Sequence, residues 1–169
     1  MLLYHGTTAS RMESILRDGL RPRGTEAGRW ENYPSRPDCV YLTSAYGFYF
    51  AMACEVGGDR LVLEIDTDKL DQQLLLPDED FVAQGLAAAD PDADLVEIHE
   101  VVRERLEYAI ATDGNEEGVF GVGMRDEDHQ WDGPPAWTIS MKYLTTCCYK
   151  GTIPPAAFTR YVLFDYTKR

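Results

Sequence analysis

Basic side chains are scarce in this chain: 16 Lys and Arg stand against 29 Asp and Glu, for a formal net charge of -13. Generic nucleic-acid binding needs clustered cations that displace counterions from phosphates, so it is not built into the chain as a whole. Four cysteines, Cys39, Cys54, Cys147 and Cys148, show no Cys-x-x-Cys spacing, and an adjacent pair is poorly suited to chelating one metal. No metal site is expected. No window approaches the length of a membrane span, no repeat period or low-complexity tract is present, and the stretch before the cysteines does not read as a signal peptide. The thiols therefore read as reduced and structural, and the expectation is a cytoplasmic protein with no membrane partner.

What is present is ordinary globular material, 44% hydrophobic and 27% charged over 169 residues, enough for one domain spanning 1–169. Its basic residues concentrate in the N-terminal fifth (Arg11, Arg17, Arg21, Arg23, Arg29, Arg36), while the middle is acidic. Short apolar runs predict strands at Leu2 to Thr8, Cys39 to Thr43, Arg60 to Asp66, Thr146 to Lys150 and Arg160 to Asp165. Helical patterns fall at Ser10 to Asp18, Ser44 to Ala53, Leu95 to Leu106 and Trp137 to about Thr145, with a short helical turn over Thr67 to Leu70. Ser10 and Glu13 have capping-box spacing and Gly19 suits a C-cap. Leu20 to Asp38, rich in Gly and Pro, reads as a long loop able to cover a pocket. The run Asp90-x-Asp92-x-Asp94 resembles the start of a calcium loop but lacks its glycine and terminal glutamate, which leaves a solvated acidic loop.

The most informative segment is Leu3-Tyr-His-Gly-Thr-Thr8, an apolar run that ends in an imidazole and a residue without a Cβ, just before a helix. Histidine donates or accepts near neutral pH, and glycine lets another group approach the backbone closely. The alternative is a purely structural histidine completing a small α+β core.

In order along the chain, His5-Gly-Thr7 with Ile15-Leu16 and Gly19-Leu20, then Val40-Tyr-Leu-Thr43, then a late strand followed by Gly151-Thr-Ile-Pro-Pro155, resemble the ADP-ribosyltransferase superfamily. The likeness is to the branch that holds poly(ADP-ribose) polymerases and RNA 2′-phosphotransferases of the KptA type, and it covers nearly the whole chain. It implies an α+β fold, a split β-sheet core with short flanking helices, and NAD as substrate with no metal. By position, it implies that His5 holds the NAD ribose, that the Gly6 backbone meets the nicotinamide carboxamide, and that Tyr41 stacks on the nicotinamide ring. Thr7 and Thr43 join them in the implied NAD site. Tyr49, with Tyr46 and Phe50, implies a second wall, unless these aromatics simply pack a core.

The third position of the family pattern, often Glu, falls at Thr146 or Cys147 here, or at Arg160 if the last strand is aligned instead. Thr146 is taken as the third catalytic position, and no carboxylate stands there. Breaking the nicotinamide–ribose bond develops positive charge on the ribose, which the family usually meets with that carboxylate. Its absence points to transfer of a single ADP-ribose to a protein or nucleic-acid acceptor, of the kind deployed by toxins or carried by phages. Arg21 and Arg23 are candidates to meet the NAD diphosphate. RNA 2′-phosphate removal is the second reading; Tyr41, where that branch tends to have His, and a chain opening directly at the His-Gly strand count against it. A third is an inactive module of the same fold that binds NAD, ADP-ribose or a protein partner.

Overall fold

Each strand expected from the sequence forms, and a sixth joins them. A computed structural model describes residues 1–25, 36–54, 58–79 and 136–165. The Asp90 to Asp94 run, the helical pattern over 95–106, and Arg29 lie outside the described residues. Strands β1 (Leu2–Thr8), β2 (Cys39–Thr43), β3 (Asp59–Asp66), β4 (Leu75–Pro77), β5 (Thr146–Lys150) and β6 (Phe158–Asp165) make one sheet in the order β4-β5-β2-β1-β3-β6. All of its neighbours are antiparallel. Among the described residues the helices are α1 (Met12–Asp18), α2 (Gly47–Met52) and α3 (Ala136–Leu144).

The sheet is two three-stranded halves joined at one point. β3 pairs with β1 from Leu2 opposite Asp66 to Thr8 opposite Arg60, and β2 pairs with β5 along all five of its residues. Between β1 and β2, by contrast, the register holds only Tyr4 opposite Thr43. Beyond that pair the strands part, with His5 to Thr8 on one side and Tyr41 to Cys39 on the other.

Side chains alternate across a strand, so each half has a core face and an outer face. Leu3, Leu61, Leu63, Ile65, Val40, Leu42, Cys147 and Tyr149 point into one buried cluster, closed by Ile15 of α1, Trp137 and Met141 of α3, and Leu20 and Ile153. Burial of each such Leu or Ile contributes roughly 1.5–3 kcal/mol. On the opposite face, α2 lies across β1 and β3, which explains why β3 is buried on both sides and reads as a nearly continuous apolar run.

Gly6 permits that second layer. A Cβ on Gly6 would overlap the Ala51 nitrogen and the Gly47 carbonyl oxygen of α2, and one on Gly47 would lie 2.8 Å from the Tyr4 Cβ. The two glycines face each other across the layer and bring helix and strand into backbone contact.

The first helix starts later than its capping-box spacing suggests. A 3-10 turn over Ala9–Arg11 intervenes, Arg11 becomes the N-cap without a side-chain bond, and the Ser10 hydroxyl instead lies 3.0 Å from that of Thr8. Gly19 does end the helix, at φ 92°, with its N–H donating to Ile15 O at 2.9 Å. Leu20 then exchanges two main-chain bonds of 2.9 Å with Ile153. This bridge fixes where the following loop leaves the core.

Because the α2 layer depends on a missing Cβ, Gly6→Ala is expected to lower stability by about 1–3 kcal/mol, the usual cost of overpacking. Urea denaturation followed by far-UV circular dichroism measures it, and an unchanged midpoint would show that α2 shifts away at no cost.

Candidate functional site

A cleft of about 450 Å³ opens where β1 and β2 diverge. One side is formed by His5 and Thr7 of β1, and another by Cys39, Val40 and Tyr41 of β2. Arg11, Ser14, Ile15 and Asp18 form the α1 wall, and Gly19 to Arg23 complete the rim. Those rim residues leave the core at the Leu20–Ile153 bridge, so the loop that carries Arg21 and Arg23 is anchored at its root.

Across the gap, His5 Nδ1 lies 2.9 Å from the Tyr41 carbonyl oxygen. A carbonyl only accepts, so Nδ1 carries the proton and Nε2 keeps its lone pair in the neutral ring. Burial lowers the His5 pKa, and the positive Arg11 lowers it further, against the opposing pull of the Tyr41 carbonyl. The side chain is thus a neutral imidazole of fixed tautomer at neutral pH.

The Tyr41 hydroxyl is fully engaged. It donates to the Glu79 carboxylate and accepts the Arg36 N–H at 2.9 Å. Burial, reinforced by the Glu79 charge, raises its pKa well above the phenolic value, so it stays protonated. Tyr41 therefore brings its main-chain edge to the cleft, while its ring packs against Cys39, Leu76 and Cys148 and its hydroxyl is not free.

The rim is cationic in an acidic protein. Arg11, Arg21 and Arg23 line the cleft with Asp18 as the acidic residue among its lining side chains. Asp18 is held ionised by Arg17, which donates to both of its oxygens at 2.8 Å, and it lies 3.7 Å from Arg21. Three guanidinium groups against one partly neutralised carboxylate favour an anion with several oxygens.

Of the residues expected to form a site, His5, Thr7 and Tyr41 come together on this cleft, with Arg21 and Arg23 beside them. The others do not line it. Gly6 does admit a close approach, but what approaches is α2 on the other face. Thr43 is buried and organises a turn: its hydroxyl donates to Thr145 O at 2.9 Å and accepts from the amides of Ala45 and Tyr46. Thr146 stands opposite Thr43, and its carbonyl accepts from Ser140 Oγ at 2.8 Å. Tyr49 is 54% exposed on α2, where Tyr49 and Phe50 rings make an edge contact rather than a wall of the cleft.

Neither alternative third position supplies an acid. Cys147 is fully buried in the core, and burial, with Asp78 nearby, pushes its thiol pKa up, so it stays protonated. Arg160 lies on β6, where it grips Glu64 at 2.7 and 2.6 Å. The four thiols are free. Among the described residues, no three His, Cys, Asp or Glu side chains are arranged to hold a metal, and no helix is long and apolar enough to cross a membrane.

Sequence reasoning did not single out Glu79, and it noted Arg36 only as part of the basic N-terminal fifth. Glu79 follows Leu74-Leu-Leu-Pro-Asp78, and that apolar triplet before a proline was the available sign of a short strand, β4, ending at a buried acid. Among 29 acidic residues, one carboxylate has no distinguishing pattern of its own.

The depressed His5 pKa sets a stability trend. Below the ordinary imidazole value of 6.5 the unfolded chain binds a proton at this position before the folded one does. Its contribution is therefore complete above that value and declines as pH falls through the lower, folded pKa. Wild type should lose more stability than His5→Gln between pH 7.5 and pH 5 in urea titrations; parallel losses would show that His5 is not desolvated. No protein-family model matches the chain, and no curated protein matches it.

Proposed function

We propose that this chain is an NAD-dependent mono-ADP-ribosyltransferase with an ADP-ribosyltransferase-like fold, acting on a protein or nucleic-acid acceptor. The observation that carries the reading is that His5 and Tyr41, named from separate sequence blocks, line one cleft where the sheet splits. They meet there through the His5 ring and the Tyr41 main chain, while the Tyr41 side chain packs on the other face of β2 against Cys39, Leu76 and Cys148. A sheet in two halves joined by one residue pair also supports the split core that the resemblance implies.

Each group has a part in that chemistry. Nε2 of the neutral His5 accepts from a ribose hydroxyl and so orients the sugar. Tyr41, held at its hydroxyl by Glu79 and Arg36 and at its ring by Cys39, Leu76 and Cys148, keeps a fixed main-chain edge at the position the resemblance gives to the nicotinamide. Arg11, Arg21 and Arg23 meet the diphosphate. The bond from C1′ to the nicotinamide nitrogen breaks with its electron pair leaving on nicotinamide, and the acceptor nucleophile bonds to C1′ and loses its proton. Asp18, already held by Arg17, is a poor base for activating a ribose hydroxyl, which favours one transfer over chain growth. Free, buried thiols at Cys39, Cys147 and Cys148 suit a reducing cytoplasm.

The arginine rim equally suits the 2′-phosphate of an RNA held beside NAD, which keeps phosphate removal as a second reading. Incubation of the purified chain with labelled NAD and a cell lysate, and separately with 2′-phosphorylated RNA, tests both. Label is expected to transfer to lysate macromolecules, with at least about a tenfold loss in His5→Ala from the missing ribose hydrogen bond. Release of phosphate from RNA without stable transfer selects the second reading. The absence of transfer, of nicotinamide release and of NAD binding would together overturn both.

A further inference from the structure

One buried carboxylate lies outside the cleft yet touches the residue on which the cleft converges. Glu79, two residues beyond the end of β4, is 2% exposed and accepts the hydrogen bond of the Tyr41 hydroxyl. Resting on the NAD reading above, we propose that Glu79 is a positioning residue for the site: from the far half of the sheet it fixes the Tyr41 ring and, through Arg36, the loop that carries Arg21 and Arg23.

The connection runs through named bonds. The same hydroxyl that donates to Glu79 accepts the Arg36 N–H at 2.9 Å, so the phenol has no rotation left that keeps both. Arg36 is itself immobilised: it is 2% exposed and donates to both oxygens of Asp38, Nε at 3.3 Å and Nη2 at 3.0 Å. Pro37, between them, accepts the Gly24 N–H at 2.9 Å, and Gly24 directly follows Arg23. At its other end, Tyr41 presents its carbonyl to His5 Nδ1. The imidazole and the cationic loop are thus both referred to Tyr41, and Glu79 secures Tyr41. No carboxylate occupies the third family position, and Glu79 does not replace it, because it does not line the cleft. It acts on the site through Tyr41.

The test is a double-mutant cycle on the full chain, Glu79→Ala and Tyr41→Phe singly and together, with Glu79→Gln as the conservative variant. NAD binding is read by calorimetry and the His5 ring by NMR, assigned with His5→Gln. Glu79→Ala is expected to weaken NAD binding about tenfold and to shift the His5 resonances, while Glu79→Gln, which keeps an oxygen to accept the phenolic proton, recovers binding to within about threefold of wild type. The double variant should be no weaker than the worse single one, since both remove one linkage. Additive losses, or a Glu79→Ala chain with wild-type affinity and an unmoved His5 signal, would overturn the proposal. If Glu79→Ala does not fold, Tyr41→Phe must move the His5 signal while Glu79→Gln leaves it in place, and the reverse refutes the linkage. If wild type does not bind NAD, the proposed function falls, and the His5 signal in the same variants still decides the role of Glu79.

Discussion

At the split between β1 and β2, an imidazole bridges a gap that main-chain pairing leaves open. The two halves of the sheet meet at Tyr4 and Thr43, and His5 Nδ1 then reaches the Tyr41 carbonyl at 2.9 Å. Full pairing would have closed the gap and left nothing to bind. Complete separation would have left a main-chain acceptor without a partner beside a cavity, at a cost of about 1–3 kcal/mol. A side chain in place of a strand satisfies that carbonyl and keeps the cleft open.

The rest of the architecture keeps that opening in shape from two sides. On the core face, Ile15, Leu20 and Ile153 pack with Leu3 and Val40, so α1 and the root of the arginine loop belong to the same apolar cluster as the strands. On the outer face, α2 presses on β1 and β3 through Gly6 and Gly47, while buried Arg60 bonds the carbonyls of Gly58 and Cys54 at 3.0 and 3.1 Å, tying the region after α2 to β3. One half is thus braced by a helix in backbone contact. The other is braced by polar links at the end of β4 and β5, where Asp78 N–H donates to Ser140 Oγ and Ser140 donates to the Thr146 carbonyl.

Electrostatics divides along the same line. The chain carries -13 overall, yet its described cleft gathers Arg11, Arg21 and Arg23. Like charges at the rim repel one another, and Arg11 adds to the burial that lowers the His5 pKa, an arrangement that an anionic ligand relieves. Net charge was therefore a poor guide to the site, because it averages over a surface while binding samples a few ångströms.

Periodicity and turn chemistry made most of the fold legible: five of the six strands, the C-cap at Gly19 and the placement of α2 and α3 follow from local apolar spacing and from residues with special backbone freedom. β4 escaped because three residues are too few to show alternation, and the capping box failed because a 3-10 turn displaced the helix start. His5 was legible as a candidate from its own chemistry beside Gly6, and Thr7 and Tyr41 from the positions that the family resemblance implies. Gly6, Thr43, Thr146 and Tyr49 were named from equally plausible positions, yet only folding could assign them to helix packing, a turn, a strand end and an exposed helix face. The sequence by itself determined which segments become strands and which residue types they carry, since those choices rest on neighbours a few positions apart. Only the tertiary structure decided that β1 and β2 separate after one pair, and that Glu79 and Arg36 meet at the Tyr41 hydroxyl, because contacts across 38 and 5 residues depend on how the chain closes on itself.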